Sequence, residues 1–231
     1  MTRVRPFGEA ALLVEFGDAP DLGCNLRVHA LARALEAERP SGLRALVPGY
    51  VSLLVEFSPV GCDVQALAAL LSERAAAAEH DSRQAGSARQ RTIPTVYGGE
   101  FGPDLEEVAE RLRLRPSQVI ERHTAAEQRV YMLGFSPGFP YLGDLPPELA
   151  LPRRATPRER VPLGSVAIAE RQTGIYSREM PGGWHLLGRT PVPLFDPSRD
   201  PPAYLAPGDR VRFVPIAASE WDRLSSCPDD W

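Results

Sequence analysis

Between Tyr131 and Asp196 the chain concentrates glycine, proline, aromatic residues and arginine, in a protein with 24 prolines and 19 glycines among 231 residues. One end reads Tyr-Met-Leu-Gly-Phe-Ser-Pro-Gly-Phe-Pro-Tyr-Leu-Gly-Asp, and Pro181–Gly183 leads into Trp184, His185 and the run to Pro191. Glycine opens backbone angles closed to other residues, and proline fixes its own. Such a run specifies loop shape in detail and excludes long helices. Aromatic and arginine side chains on loops of this kind are suited to line a pocket for a small anion. The structural alternative is a set of tight barrel turns.

Composition narrows the chemistry. All 26 basic side chains are arginine, with no lysine. Schiff-base chemistry, a phosphate-loop lysine and a biotin-carrying lysine are therefore excluded within this chain. Anions must be met by arginine forks, backbone N–H groups or another protein of a complex. Cys24, Cys62 and Cys227 are scattered and unpaired in spacing, which predicts reduced thiols, no zinc site and a cytoplasmic location. The net charge of -4 gives no reason to expect nucleic acid. No apolar run approaches a membrane span, and the polar stretch from Thr2 to Arg5 predicts no signal peptide.

Periodicity predicts two domains, residues 1–88 and 89–231. In the first, Ala10–Phe16 reads as a strand, and Leu22, Leu26, Leu31 and Leu35 as a helix ending before Pro40. Leu43–Val47 and Val51–Phe57 form a hairpin about Pro48, Gly49 and Tyr50. A second helix spans Asp63 to Glu79, with Val64, Leu67, Leu70 and Leu71 inward. This β-α-β-β-α order predicts an α+β domain with both helices on one face of the sheet, like a ferredoxin-type split β-α-β. Asp81 to Gln90 reads as the linker.

In the second, the strand Thr92–Tyr97 precedes helices over Asp104–Leu112, with Asp104 as N-cap, and Pro116–His123. Short strands at Val130–Leu133, Ser165–Ala169, His185–Leu187 and Arg210–Val214, separated by Gly/Pro turns, predict a compact β-barrel. A short helix over Ser219–Leu224 closes the chain.

Gly134, Ser136 and Gly138 match the G-x-S-x-G pattern of serine hydrolases, with His185 downstream. The mechanism excludes the match. The residue after the serine must supply an N–H to the oxyanion hole, and Pro137 has none. Ser136 is expected to be a turn residue whose hydroxyl bonds in the pocket wall. Arg153, Arg154, Arg158 and Arg160 lie among Pro152, Pro157 and Pro162, and a stiff loop carrying guanidinium forks suits carboxylate or phosphate. The alternative is a solvated charged loop. Gln172, Thr173 and Tyr176 offer neutral donors and acceptors for an amide-like ligand, or equally a polar turn. Trp184 and His185 alternate along one strand, so only one faces the barrel interior. His123 closes a helix, as a cap or a functional group. His29 and His80 are expected at the surface.

Together these stretches resemble the family called allophanate hydrolase subunit 1, which includes the B-type chain of 5-oxoprolinase and the sporulation kinase A inhibitor. The resemblance runs from Gly8–Leu12 through Val96–Gly99, His123, Gly134–Leu142, Gly164–Ile168, Gln172–Tyr176, Pro181–Trp184 and Gly188–Pro191 to Pro207–Asp209. It implies an N-terminal α+β domain followed by a cyclophilin-like β-barrel, and a 5-oxoprolinase C-type partner chain that completes a joint site. With an A-type component, such a complex opens 5-oxoproline to glutamate at the expense of ATP. The ATP, with its Mg, is expected to be bound jointly with or by the partner. On this reading His123, Gln172 and Tyr176 are candidate catalytic residues, and Arg154, Arg158, Phe135, Trp184 and Arg189 candidate substrate-binding residues. Two other functions fit the resemblance: inhibition of a sensor histidine kinase, and half of a biotin-dependent urea carboxyltransferase served by a separate biotin carrier. One departure is Tyr176-Ser177 where the family usually has Tyr-Pro, which is expected to loosen the loop before Pro181.

Overall fold

The computed structural model describes residues 2–81, 89–143 and 145–226, without the side chains of residues 79–81. The chain divides into two compact parts, Met1–Ala88 and Arg89–Trp231.

In the N-terminal part, β1 (Arg3–Pro6), β2 (Ala11–Glu15), β3 (Leu43–Pro48) and β4 (Ser52–Phe57) form an antiparallel sheet in the order β1-β2-β4-β3. The strand β1 is unexpected, because Arg3–Pro6 is only four residues long and carries two arginines and a proline; pairing with β2 from Arg3↔Glu15 to Pro6↔Leu12 makes it. Helix α1 (Leu22–Glu38) starts where the Asp21 carboxylate accepts the Cys24 N–H at 2.8 Å, and ends at Arg39 in the left-handed region with φ 42°. Helix α2 (Val64–Asp81) buries Leu67, Leu71, Ala75 and Ala78, the spacing of one helical face. Val64 shares that face but, as the first residue of the helix, is exposed. These side chains join Val28, Leu31 and Leu35 of α1 and Leu12, Val14, Leu53 and Val55 of the sheet in one core. Each fully buried leucine there contributes about 1.5–3 kcal/mol. The buried Asn25 amide ties α1 to the β3–β4 turn by donating to the Gly49 and Tyr50 carbonyls at 3.2 and 3.0 Å. His29 is also buried on α1, contrary to its expected surface place, because its helical turn faces this core. The expected linker overlaps the end of α2 and, apart from Asp81, Arg89 and Gln90, lies outside the described residues, as do Cys227 and the His80 side chain.

The C-terminal part is built on a closed barrel of seven strands. They are β5 (Gln90–Tyr97), β6 (Gln128–Leu133), β7 (Pro140–Gly143), β9 (Ser165–Ala169), β10 (Gln172–Ile175), β12 (His185–Arg189) and β13 (Arg210–Pro215), closed in the order β10-β7-β6-β13-β5-β12-β9. All pairs are antiparallel except β5 with β13. Ile93, Val130, Leu142, Val166, Ile175, Val211 and Phe213 come from six of these strands and share one buried cluster, which fills the interior. Helices α3 (Leu105–Leu112) and α4 (Pro116–Ala125) pack with Leu145, Leu149, Ile168 and Leu187 in a second cluster. A separate two-stranded sheet joins β8 (Arg158–Val161) to β11 (Met180–Gly182). A 3-10 turn over Ala218–Glu220 leads into α5 (Trp221–Ser226). No helix among the described residues is long and apolar enough to cross a membrane.

Candidate functional site

Consecutive residues of a strand face opposite ways, and β10 uses this to separate two environments. Thr173 faces His123. A Cβ at the next residue, Gly174, would stand 2.6 Å from Phe139 Cζ and 2.9 Å from Trp184 Cζ3. On this outer face Phe139 is the hub of an aromatic cluster. Its ring meets Tyr141, Tyr176, Phe135 and Trp184 edge-on, at centroid distances of 5.0, 5.3, 5.7 and 5.9 Å. Such T-shaped pairs set positive ring edges against negative faces and fix the geometry of each ring.

Around this cluster opens a cavity of about 160 Å³, lined by Phe135, Phe139, Tyr141, Tyr176 and Trp184, by Arg153 and Arg154, and by Pro157, Gly182 and Gly183. Gly182 is required by contact, since a Cβ there would strike the Tyr176 hydroxyl. Burial pushes the Tyr176 phenol pKa up, against the opposing bond from the Trp184 N–H, so the group stays protonated and neutral. Burial likewise raises Tyr141, with the nearby Arg153 charge opposing.

Phe135 stands at the mouth, 64 % exposed, with φ 63°. The Ser136 N–H donates to the Gly134 carbonyl at 2.6 Å, closing a γ-turn about Phe135 in the strained positive-φ form. An aromatic residue held in that region and left exposed is local strain placed at a cavity mouth. Ser136 is a turn residue as expected, but its buried hydroxyl has no hydrogen-bond partner among the described residues. The nearby Ser177 hydroxyl donates to the Pro137 carbonyl at 2.6 Å. The departure at Ser177 therefore pins this loop rather than loosening it.

The cationic rim depends on a residue the sequence pattern conceals. Asp104 precedes α3 but makes no side-chain cap. Its carboxylate accepts both Arg158 Nη1 and Nη2, at 2.8 and 2.6 Å, Arg154 Nη1 at 3.0 Å and the Leu186 N–H at 2.7 Å. Burial alone would raise the Asp104 pKa; the Arg158 fork, the Leu186 N–H and the Arg154 charge outweigh it and hold the carboxyl below its usual range. Arg154 Nη1 also reaches Glu107 at 3.4 Å, while its Nε is buried without a partner among the described residues. Arg153 is exposed on the cavity wall with no hydrogen bond or ion pair among the described residues. Asp104 and Glu107 thus answer Arg154 and Arg158, with Glu107 shared with Arg111, and Arg153 adds an unanswered positive charge beside the aromatic cluster.

The expected site residues divide accordingly. Arg154, Tyr176, Phe135 and Trp184 lie around this one cavity. Arg158 does not line it. It sits on β8 rather than on a loop, and its fork is engaged by Asp104. Gln172 begins β10, not a turn, and lies outside the cavity lining. Arg189 donates Nε–H to the Leu163 carbonyl at 2.6 Å and stacks over Trp221 at 5.2 Å, also outside it. His185 Nε2 meets the Pro152 carbonyl at 2.9 Å. His123 is fully buried on the far face of β10, with Nδ1 2.8 Å from the Tyr97 hydroxyl, Nε2 3.2 Å from the Thr173 hydroxyl and its ring against Phe213. Burial lowers its pKa to about 3, so it is neutral at neutral pH. Of the lining residues that sequence reasoning does not single out, Phe139 and Tyr141 belong to the aromatic run and Arg153 to the arginine run. Asp104 carries no separate signal, because an aspartate before a helix reads as a cap.

The family profile of the carboxyltransferase domain, subdomain C and D, matches residues 2–205. The chain belongs to this family. It is 40% identical over 229 residues to the B-type chain of 5-oxoprolinase from Bacillus subtilis, covering 95% of both chains. Against the corresponding 5-oxoprolinase chain of Escherichia coli O157:H7 it is 44% identical over 220 residues, covering 93% of this chain and 97% of the other. Among solved structures, TTHA0988 superposes with a TM-score of 0.79 at 40% identity over 94% of this chain, which spans 41% of that longer chain.

Proposed function

We propose that this chain is one cytoplasmic component of an ATP-dependent 5-oxoprolinase that opens 5-oxoproline to glutamate. In this reading it is incomplete alone and acts with a C-type partner chain and an A-type component. The observation that carries the reading is the cavity: a small aromatic box with surplus positive charge on one wall. 5-Oxoproline is a compact lactam ring bearing one carboxylate. The guanidiniums of Arg153 and Arg154 suit the carboxylate, and the walls formed by Phe139, Tyr176 and Trp184 suit the ring. The likeness to B-type 5-oxoprolinase chains supports the same substrate.

We place ATP and its Mg jointly with, or on, the partner. A cavity of about 160 Å³ is well below the roughly 300–1,000 Å³ of sites for larger ligands, and among the described residues no three His, Cys, Asp or Glu side chains group as metal ligands. Tyr176 contributes a neutral hydroxyl at the ring, and Phe135 the outer wall. His123, Gln172 and Arg189, which lie away from the cavity, are given no chemical step. We also read the N-terminal part as a ferredoxin-like split fold, because β2 and β3 run parallel with β4 between them, and the C-terminal part as a cyclophilin-like barrel.

The test is co-expression with the C-type and A-type components and measurement of glutamate released from 5-oxoproline with and without ATP. ATP-dependent release that requires this chain is the expected result. No turnover from a mixture in which every component is folded overturns the assignment.

A further inference from the structure

Of the two arginines that line the cavity, Arg154 is the one held in place by other side chains. Arginine has a long, rotamer-rich stem, and fixing its head costs conformational entropy unless another group has already ordered it. Here the ordering group is Asp104. Its side chain is 4 % exposed and gathers three elements: Arg158 of β8, the Leu186 N–H of β12 and Arg154 from the segment before β8. The bidentate Arg158 fork fixes the plane of the carboxylate. With the Leu186 N–H also on Oδ2, Oδ1 takes Arg154 Nη1 as its second donor, at 3.0 Å. Arg154 then stands at the cavity wall with a buried Nε–H that has no partner among the described residues. A buried donor without a partner is costly, and an incoming anion can satisfy it.

Resting on the carboxylate-lactam reading, we propose that Asp104 is a positioning residue: with Arg158 as its brace, it presents the Arg154 guanidinium to the carboxylate of the substrate. Asp104 does not touch substrate, and Arg158 acts only through it. The expected effect has an unusual sign. Asp104→Asn adds net positive charge beside the cavity, so a purely electrostatic role would tighten binding of an anion. A positioning role predicts weaker binding despite the added charge.

The experiment uses the full chain with its C-type and A-type partners. For D104N, KM for 5-oxoproline should rise about 10-fold or more while kcat changes by less than about 3-fold. Arg158→Ala should give a similar rise, and the double variant should be no worse than either single one, since both break one device. Asp104→Glu, which keeps the charge, should recover part of the loss. Arg160→Ala, which removes a guanidinium 83 % exposed on the same strand, should leave KM unchanged. An unchanged or lower KM in D104N overturns the proposal. The second readout is independent of turnover: the Arg154 Nε–H resonance of the full chain should be slowly exchanging in the wild type and averaged in D104N. If the wild-type complex shows no turnover, the reaction assignment fails, while this resonance still decides whether Asp104 orders Arg154. Equal order in the two proteins refutes the positioning role.

Discussion

Acidification should destabilise the C-terminal part of the chain through one side chain, His123. The ring is fully buried, and its hydrogen-bond and ring partners among the described residues, Tyr97, Thr173 and Phe213, are uncharged. Burial lowers its pKa from 6.5 to about 3. A folded value below the unfolded one means that the fold binds the proton less readily than the open chain. The contribution is therefore complete above pH 6.5 and declines as pH falls toward the folded value. At about 1.4 kcal/mol for each pH step of one below 6.5, moving from pH 7 to pH 5 removes roughly 2 kcal/mol, and pH 4 roughly 3 kcal/mol. Asp104, whose pKa is held low, loses its contribution only in the more acid range where carboxylates titrate. All three tryptophans, Trp184, Trp221 and Trp231, belong to this part of the chain, so their fluorescence during urea unfolding reports it alone. At a urea slope of about 2 kcal/mol per molar, the midpoint should fall by roughly 1 M between pH 7 and pH 5. His123→Gln should be less stable at pH 7, having lost the ring's bonds, but its midpoint should vary far less over the same range. The other histidines are common to both proteins, so the difference between their pH profiles isolates His123. A wild-type loss under about 0.5 kcal/mol, or equal slopes in both, would refute the assignment of this acid sensitivity to His123.

Gly174→Ala places a methyl 2.6 Å from Phe139 Cζ and 2.9 Å from Trp184 Cζ3. Neither ring can withdraw from the interlocked cluster without displacing another, so the variant should lose about 1–3 kcal/mol, seen as a fall in Tm, with raised KM for 5-oxoproline. Arg189→Ala removes the bond to the Leu163 carbonyl and the stacking on Trp221. It should cost about 1–3 kcal/mol of stability by thermal melting and leave KM unaltered.

What the sequence discloses, and what it hides, follow from how local each signal is. The ends of α1 are written in Asp21 and Pro40, and the apolar run Ser165–Ala169 declares β9 without help from its neighbours. The strands β8 and β10 do not declare themselves. Arg158–Val161 is strand because β11 pairs with it, and Gln172–Ile175 because β7 and β9 flank it. Chemistry is less local still. The aromatic and arginine runs locate the cavity because its walls are nearly contiguous in the chain. His123 groups with them by residue type, but the face of β10 it meets depends on barrel closure, which residue types alone do not encode. Asp104 is hidden by ambiguity: a helix-capping aspartate and an arginine-clamping aspartate have the same local sequence, and only long-range pairing separates them.

The placement of the cavity outside the barrel follows from the barrel's size. About eight strands give an interior just wide enough to be filled by side chains or to hold one small ligand. The seven strands here fill theirs with Ile93, Val130, Leu142, Val166, Ile175, Val211 and Phe213. A ligand site must then be made on the outer face. That face needs positions where the barrel wall is thin and a second layer to enclose them. Ala167, Ala169 and Gly174 provide the thin wall. The β8–β11 sheet and the proline-bounded arginines supply enclosing residues, Gly182 from β11 among them. The dense glycine and proline of Tyr131–Asp196 are thus what a filled small barrel requires to build a pocket on its outside.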